Sequence, residues 1–392
     1  MNKKKSLITI IIFGALLGIF TIADICTKDR IFSENENRVL AAKPNLTGNT
    51  ILSGQYSEDY ENYVTDQFAW RDMWISLKTR SDIALGKKDI NDIYLAADNY
   101  LIEKHSPTMF STEDIDKKSD MLIDFLQAFP ETKIMLAPTA DNVISDKLPS
   151  HAVYFDERNF LKHVKNEISK SDKIADSAVI DLLDTLSEHK DKEIYYKTDH
   201  HWTSLGAYYA YLAWADATSH KPYDYNTDKM KIVTDDFKGT LHSKINIGDT
   251  RDEIRTFSET YDFDVNVLYD NTVKSSSLYE KKHLNTKNKY GYFLDDNHGI
   301  IEITNNSVPK NESAPDETGK NNTLIVIKDS YANSFIPLLV PHYEKIYVID
   351  LRYFREEINE FIQKIEKTDT LILYNCIHFL ENFKYASSVK RS

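Results

Sequence analysis

Apolar positions are continuous in one stretch of this chain and periodic elsewhere. Residues 6–23, SLITIIIFGALLGIFTIA, form 18 consecutive uncharged positions, with Lys3, Lys4 and Lys5 before them and Asp24 the first acidic side chain after them. At about 1.5 Å per residue such a helix is about 27 Å long, near the ~30 Å hydrocarbon core of a bilayer. The preceding lysines favour an N-terminus inside and export of the remainder. A buried core helix fits poorly, because Asp24, Lys28, Asp29 and Arg30 follow at once. A cleaved signal peptide shares the plan, but the run is long and Ile22-Ala23-Asp24-Ile25-Cys26 offers no small-x-small site. The expected organisation is therefore a cytoplasmic tip and membrane anchor over 1–28 and one extracytoplasmic domain over 29–392.

Beyond the anchor the period changes. Tyr56, Tyr60, Tyr63, Phe68, Trp70, Trp74 and Leu77 recur near helical spacing and predict one or two amphipathic helices ending at Gly86. Ile93, Leu95, Tyr100 and Leu101 flank Asp98-Asn99, a turn pair, and predict a hairpin. Helical patterns at 112–128, 157–169, 176–188, 204–214, 332–340 and 355–364 then alternate with short apolar runs at 133–137, 323–327, 347–349 and 370–374. This alternation predicts an α/β fold with a mostly parallel sheet covered on both faces. Ligands in such sheets bind beyond the carboxyl ends of the strands. Between 222 and 321 short alternating segments, such as YDFDVNVLY and YGYFL, predict a β-rich insertion forming one wall of a cleft.

Charge narrows the partners. The chain has 48 Lys plus Arg against 61 Asp plus Glu, a net charge of -13. An acidic balance argues against a nucleic-acid surface, which needs a basic stripe to release counterions. The two cysteines, Cys26 and Cys376, stand at the membrane boundary and in an apolar run, so no disulfide framework is expected.

Three segments carry candidate chemistry, each with a plainer reading beside it. In Thr198-Asp199-His200-His201-Trp202-Thr203 a histidine base could be oriented by Asp199, which would hold its tautomer and stabilise the imidazolium. Adjacent Asp and His are also metal-ligand types. Three neighbours cannot all turn to one ion without a ligand from elsewhere, so no metal is expected. The plainer reading makes Asp199 a helix cap and the histidines surface residues. In Ile327-Lys328-Asp329-Ser330-Tyr331, Ser330 lies where an apolar strand meets a helix. It is placed to act as a nucleophile, with helix N-H groups and Asp329 beside the developing oxyanion. Here the plainer reading is again a cap. In Ala137-Pro138-Thr139-Ala140-Asp141-Asn142, Asn142 is a candidate oxyanion donor or simply a turn residue.

The runs TDHHWT (198–203), IKDSYANSF (327–335) and VIDLRYF (348–354), with SENENRVLAAKP (33–44) and YVTDQFAWRD (63–72), resemble the DHHW protein family. That family belongs to the SGNH-hydrolase-like superfamily and is related to the periplasmic alginate O-acetyltransferase proteins. The resemblance implies a three-layer α/β/α domain of flavodoxin-like layering, with acid and base preceding the nucleophile in the chain. It implies a triad of Asp199, His201 and Ser330, with Trp202 shaping the pocket and His200 between acid and base. In this chain Lys328 replaces the glycine usual before Asp-Ser. The acid-to-base spacing is the shorter one of the acetyltransferase branch.

Together these readings predict a serine-dependent O-acetyltransferase or acetylesterase. It would act on a cell-envelope polysaccharide through an acyl-enzyme, without a cofactor. Transfer implies a partner that carries acyl groups across the membrane, such as a multi-pass acyltransferase. The competing reading is a non-catalytic carbohydrate-binding or envelope-assembly protein on the same fold. A triad requires His201 Nε2 about 2.6–3.2 Å from Ser330 Oγ, with Asp199 on the other ring nitrogen.

Overall fold

Residues 323–328, TLIVIK, hold β-branched side chains and no turn former, the composition of a strand buried on both faces. In the computed structural model, which describes residues 3–33, 38–257, 263–307, 322–365 and 368–385, this segment is central to an eight-stranded sheet. The strands are β1 (Lys133–Ala137), β2 (Val179–Ile180), β3 (Val265–Tyr269), β4 (Val273–Ser275), β5 (Ile300–Asn305), β6 (Thr323–Lys328), β7 (Lys345–Ile349) and β8 (Thr368–Asn375). Their order across the sheet is β4-β3-β5-β7-β6-β8-β1-β2. From β7 to β2 every pairing is parallel, while β5, β3 and β4 continue the sheet antiparallel. The antiparallel strands come from the 222–321 stretch, so part of that stretch extends the main sheet. Its other strands, 231–237 and 252–256, pair with each other.

The described residues fall into two compact units, 1–91 with 242–249 and 92–241 with 250–392. In the first, α1 (Lys3–Cys26) is long and apolar enough to cross a membrane. Helices α2 (Gln55–Gln67) and α3 (Arg71–Ala84) are separated at Trp70, which takes a left-handed conformation.

The second unit holds the sheet. Ile325, Val326 and Ile327 are fully buried, as a strand covered by helices on both faces must be. Helices α4 (Thr112–Ala128), α5 (Glu157–Ile168) and α8 (Cys376–Asn382) pack together. α4 begins with a reciprocal cap between Ser111 and Asp114 and buries Leu122, Phe125 and Leu126. α5 buries Phe160, Leu161, Val164 and Ile168, one stripe at helical spacing. Helix α6 (Ser204–Ala217) packs against the turn at 330–334. A further helix, α7 (Ile358–Lys364), lies between β7 and β8 in the chain. The expected hairpin pairs Leu95 with Leu101 and holds Asp98 and Asn99 at positive φ.

Two helical expectations give way. The 176–188 pattern contains the edge strand β2, because Val179 and Ile180 pair with β1 and leave only Leu183–Ser187 helical. After β6 the chain forms short turns, Ser330–Ser334, Ile336–Leu339 and Val340–His342, in place of one helix. Pro337 and Pro341 supply no N-H to a continuing ladder.

The loop after β1 holds a buried polar chain. Thr139 N donates to Glu157 Oε2 (2.9 Å), Thr139 Oγ1 lies 2.8 Å from Glu157 Oε1 and also bonds Asp141, and Asp141 Oδ2 meets His105 Nδ1 at 2.8 Å. One hydroxyl cannot donate to two carboxylates. Burial, reinforced by the charge of Asp141, pushes the Glu157 carboxyl far above its usual range. Glu157 is therefore the protonated member, donating to Thr139, which donates to Asp141. Burial opposes the charge on His105, but its bond to Asp141 prevails and pushes it up to about 9.

The folded protein thus keeps a Glu157 proton that an unfolded chain loses as pH rises through 4.5. Stability contributed by this group is full below that value and declines above it. His105 adds a second decline only above 6.5. Glu157→Gln preserves all the hydrogen bonds with no proton to lose. Denaturant unfolding should show its stability relative to the parent rising between about pH 5 and about pH 6.5; parallel curves would refute a protonated Glu157.

Candidate active site

At the carboxyl end of β6 the chain turns sharply. Asp329 donates its N-H to Leu373 O of the neighbouring strand (3.2 Å), and its Oδ1 caps the next turn by accepting from Tyr331 N (2.9 Å). Asp329 Oδ2 accepts from Asn375 N at 3.0 Å and meets His378 Nδ1 at 2.9 Å. Asp329 is therefore the cap, which leaves the hydroxyl of Ser330 for another partner. Lys328, in the position where the resemblance expects glycine, is fully buried. Its Nζ donates to Asn297 Oδ1 (2.8 Å) and Asn333 Oδ1 (2.9 Å), and Asp350, held by Arg352, lies 3.6 Å away. The lysine braces the turn through Asn333.

The histidine segment meets this turn from another direction. An isolated bridge between Tyr195 and Trp202 folds 196–201 into a tight loop. His201 Nε2 stands 2.8 Å from Ser330 Oγ, and His201 Nδ1 stands 2.5 Å from Asp199 Oδ1. These three residues, from sites 129 positions apart, form one hydrogen-bonded line. The Tyr290 ring lies against His201, centroids 3.9 Å apart and planes 12° apart, and the Tyr290 hydroxyl donates to Ser330 O (3.2 Å). It holds ring and serine together.

Asp199 is buried, which opposes its charge, yet its pKa is held well below the usual carboxylate range. The adjacent His200 and His201 and the hydrogen bonds account for this. Oδ1 accepts from His201 N (3.1 Å) as well as from the ring, while Oδ2 accepts from Thr240 N (2.8 Å) and Thr240 Oγ1 (3.0 Å). A carboxylate so surrounded fixes His201 with Nδ1 protonated and Nε2 free to take a proton. Asp252 supports the loop from below, accepting from Lys197 N (2.7 Å) and Thr198 N (2.8 Å).

The other candidates take different places. His200 Nδ1 faces Thr240 Oγ1 at 2.8 Å. Since that hydroxyl donates to Asp199, it accepts from His200. Burial and the neighbouring His201 push His200 down to about 3, so it is a neutral ring. Trp202 is fully buried, and Nε1 donates to Tyr331 O (2.9 Å) and Ser334 Oγ (3.1 Å). It fastens the histidine loop to the serine turn and lines no open cleft. Asn142 donates to Asp141 Oδ1 (3.0 Å) and Phe155 O (3.1 Å) and accepts from Glu157 N (3.2 Å). Its amide is committed to the loop after β1. The Ser330 N-H makes no hydrogen bond to a described residue, so it is available to an oxyanion at the serine carbon.

Asp199, His200 and His201 bring ligand-type atoms within 4.8 Å of one another. Of the ring nitrogens, only His200 Nε2 is uncommitted, so an ion there would have to break the bonds just described.

Thr240, Tyr290 and His378 were not visible as site residues in the sequence, nor was Gly239. Each lies in a segment without a motif, and only the fold brings it to the site. The one local signal is at 375–378, where Asn375 at the end of β8 caps α8 and sets His378 at the same sheet edge as Ser330. Gly239 is required by contact. A Cβ there would overlap Asp199 Cβ and Oδ2 and lie 2.7 Å from Cγ. Gly239→Ala should therefore push the carboxylate off His201 and lower by about 10²-fold or more any turnover that depends on the line Asp199–His201–Ser330. Steady-state kinetics on a folded variant tests this, and near-parental turnover would show that Asp199 tolerates displacement.

Comparisons with known proteins bear on the fold and the family. A DHHW family protein from Eubacterium siraeum superposes with a TM-score of 0.58 at 20% identity, covering 76% of this chain and 97% of that one. Bacillus cereus PatB1 with a sulfonyl adduct superposes with a TM-score of 0.55 at 22% identity, covering 75% and 96%. A second PatB1 structure gives 0.54 at 20% identity, covering 73% and 98%. These likenesses show a shared fold, an α/β domain built on one large sheet covered by helices. No curated relative matches the sequence. The model of the DHHW protein family matches residues 110–349, an interval that holds β1, the histidine loop and the serine turn. The chain belongs to the DHHW protein family.

Proposed function

We propose that the protein is a serine-dependent O-acetyltransferase or acetylesterase that acts on a cell-envelope polysaccharide through an acetyl-enzyme. The observation that carries this reading is the line Asp199–His201–Ser330, with 2.5 Å and 2.8 Å between its members. His201 Nε2 takes the Ser330 proton as Oγ attacks the acetyl carbonyl. The imidazolium, stabilised by Asp199, returns the proton to the leaving alcohol, and the acetyl group stays on Ser330. A sugar hydroxyl or water then attacks the acetyl-enzyme, with His201 as base again. The bond between His201 and Ser330 favours this reading over a purely binding role, because a glycan-binding surface has no need of an activated serine. The sulfonyl adduct of Bacillus cereus PatB1 also supports it, since sulfonyl reagents react with activated nucleophiles.

In the same proposal residues 1–28 anchor the chain with the N-terminus in the cytoplasm, and 29–392 lie outside. Acyl groups then need a carrier across the bilayer, and a multi-pass membrane acyltransferase would supply them. Metal and cofactor take no part in the steps assigned to these residues.

Ser330→Ala tests the nucleophile. It removes the attacking oxygen but not the cap, which is Asp329, so folding should weaken by about 1 kcal/mol at most. Turnover of an aryl acetate should fall by about 10³-fold or more, and His201→Ala should be comparably severe because the two act as a unit. After treatment with phenylmethylsulfonyl fluoride, peptide mass spectrometry should also find the phenylmethylsulfonyl group on Ser330 of the parent, fluoride having left. Labelling or turnover that survives in Ser330→Ala would assign the chemistry elsewhere.

A further inference from the structure

Two imidazoles of the site have no part in the line of three. His200 gives its Nδ1 proton to Thr240 Oγ1, and His378 gives its own to Asp329 Oδ2. Both Nδ1 atoms thus face inward, which turns both Nε2 atoms outward. Neither Nε2 has a hydrogen-bond partner among the described residues, and neither is a buried orphan. The side chains of His200 and His378 are 22% and 26% exposed, whereas those of His201, Asp199 and Asp329 are 6%, 2% and 1% exposed. The ring centroids are 5.8 Å apart at 74°, so the two rings are neighbours at the mouth of the site.

The two nitrogens are chemically opposite. His200 is neutral and carries its proton on Nδ1, so its Nε2 is an acceptor. Burial opposes charge on His378, but the bond to Asp329 and that carboxylate's charge raise its pKa, which favours the imidazolium, whose Nε2-H is a donor. Its neighbour His200 is 3.9 Å from the His201 ring, centroid to centroid, which places the pair beside the base. An outward acceptor and an outward donor on neighbouring rings match a hydroxyl, which both donates and accepts.

We propose that His200 and His378 form a clamp for a hydroxyl of the acceptor sugar next to the one that is acylated. This inference rests on the acetyl-enzyme reading above. The reacting hydroxyl gives its proton to His201 Nε2 as its oxygen bonds the acetyl carbon. The Ser330 Oγ–carbon bond then breaks, and the proton passes from His201 to Ser330 Oγ. The neighbouring hydroxyl, held by the clamp, stays intact and fixes the reacting one at the carbonyl. Sugars have such neighbours, while water and methanol do not.

The test uses the full chain, an aryl acetate as donor, and methyl glucoside or methanol as acceptor. The readout is the ratio of acetylated acceptor to free acetate. Both products issue from one acetyl-enzyme, so folding yield and acylation rate cancel. His378→Asn and His200→Asn keep an amide where Nδ1-H stood, preserving the inward bonds, but remove the outward nitrogen. Each should lower the ratio for methyl glucoside by about tenfold, the effect of one lost hydrogen bond, and leave that for methanol unchanged. An unchanged glucoside ratio, or an equal fall with methanol, overturns the clamp. A second readout needs no turnover. In Ser330→Ala, methyl glucoside should shift the ring-nitrogen resonances of His200 and His378 saturably. No shift overturns the clamp, whereas a shift accompanied by no acyl turnover in the parent protein upholds it and defeats the acetyl-enzyme reading instead.

Discussion

The site depends on one buried carboxylate that must stay charged. Removing Asp199 from water is unfavourable unless its oxygens find donors. They find four, two from His201 and two from Thr240. Meeting that demand determines much of the surroundings. Thr240 must come within reach of Asp199, so residue 239 must be glycine. The loop at 197–198 must also be held, which Asp252 does with a second buried carboxylate. The strands 231–237 and 252–256, which form a sheet of their own, thus belong to the apparatus that keeps Asp199 ionised, through Asp252 and the adjoining Gly239-Thr240.

The serine turn follows the same logic with different parts. Asp329 accepts from Tyr331 N, Asn375 N and His378 Nδ1, so one side chain joins the ends of β6 and β8 and caps the turn. Lys328 and Asn333 secure the turn from the other side. Since both carboxylates are fixed by backbone N-H groups, the distance between Ser330 and His201 is set by the sheet edge and by Trp202, which spans the two loops. Side-chain flexibility contributes little to it.

Much of this was legible in the sequence, and what was hidden has a physical cause. Apolar runs of five or six residues announced β1, β6 and β8, because strands buried on both faces need continuous hydrophobicity. β2 was concealed, since two residues set no period and the surrounding pattern is helical. The helix expected after Ser330 failed on Pro337 and Pro341, which were visible but were outweighed by the apolar periodicity. Asp199, His201 and Ser330 stood out because each lies in a motif. Gly239 and Tyr290 could not, since a glycine's reason is the atom its absent Cβ would strike, and a stacking tyrosine resembles any core aromatic. Asn142 shows the reverse error. A polar residue at a strand end suggested an oxyanion donor, but Asp141, Phe155 and Glu157 absorb its amide.

His200 illustrates why adjacent residues of one type need not share a role. In the proposed acyl transfer His201 becomes an imidazolium, and a second positive ring 3.9 Å away would oppose that charge. The surroundings keep His200 neutral, by burial and by the proximity of His201 itself. His378 has a carboxylate at hydrogen-bond distance, Asp329 Oδ2 at 2.9 Å, whereas the carboxylate beside His200, Asp199, is 3.9 Å from its Nδ1. Two carboxylates therefore give three histidines different surroundings. Asp199 orients the proposed base, Asp329 favours the charged form of His378, and Thr240, itself bound to Asp199, leaves the ring between them neutral.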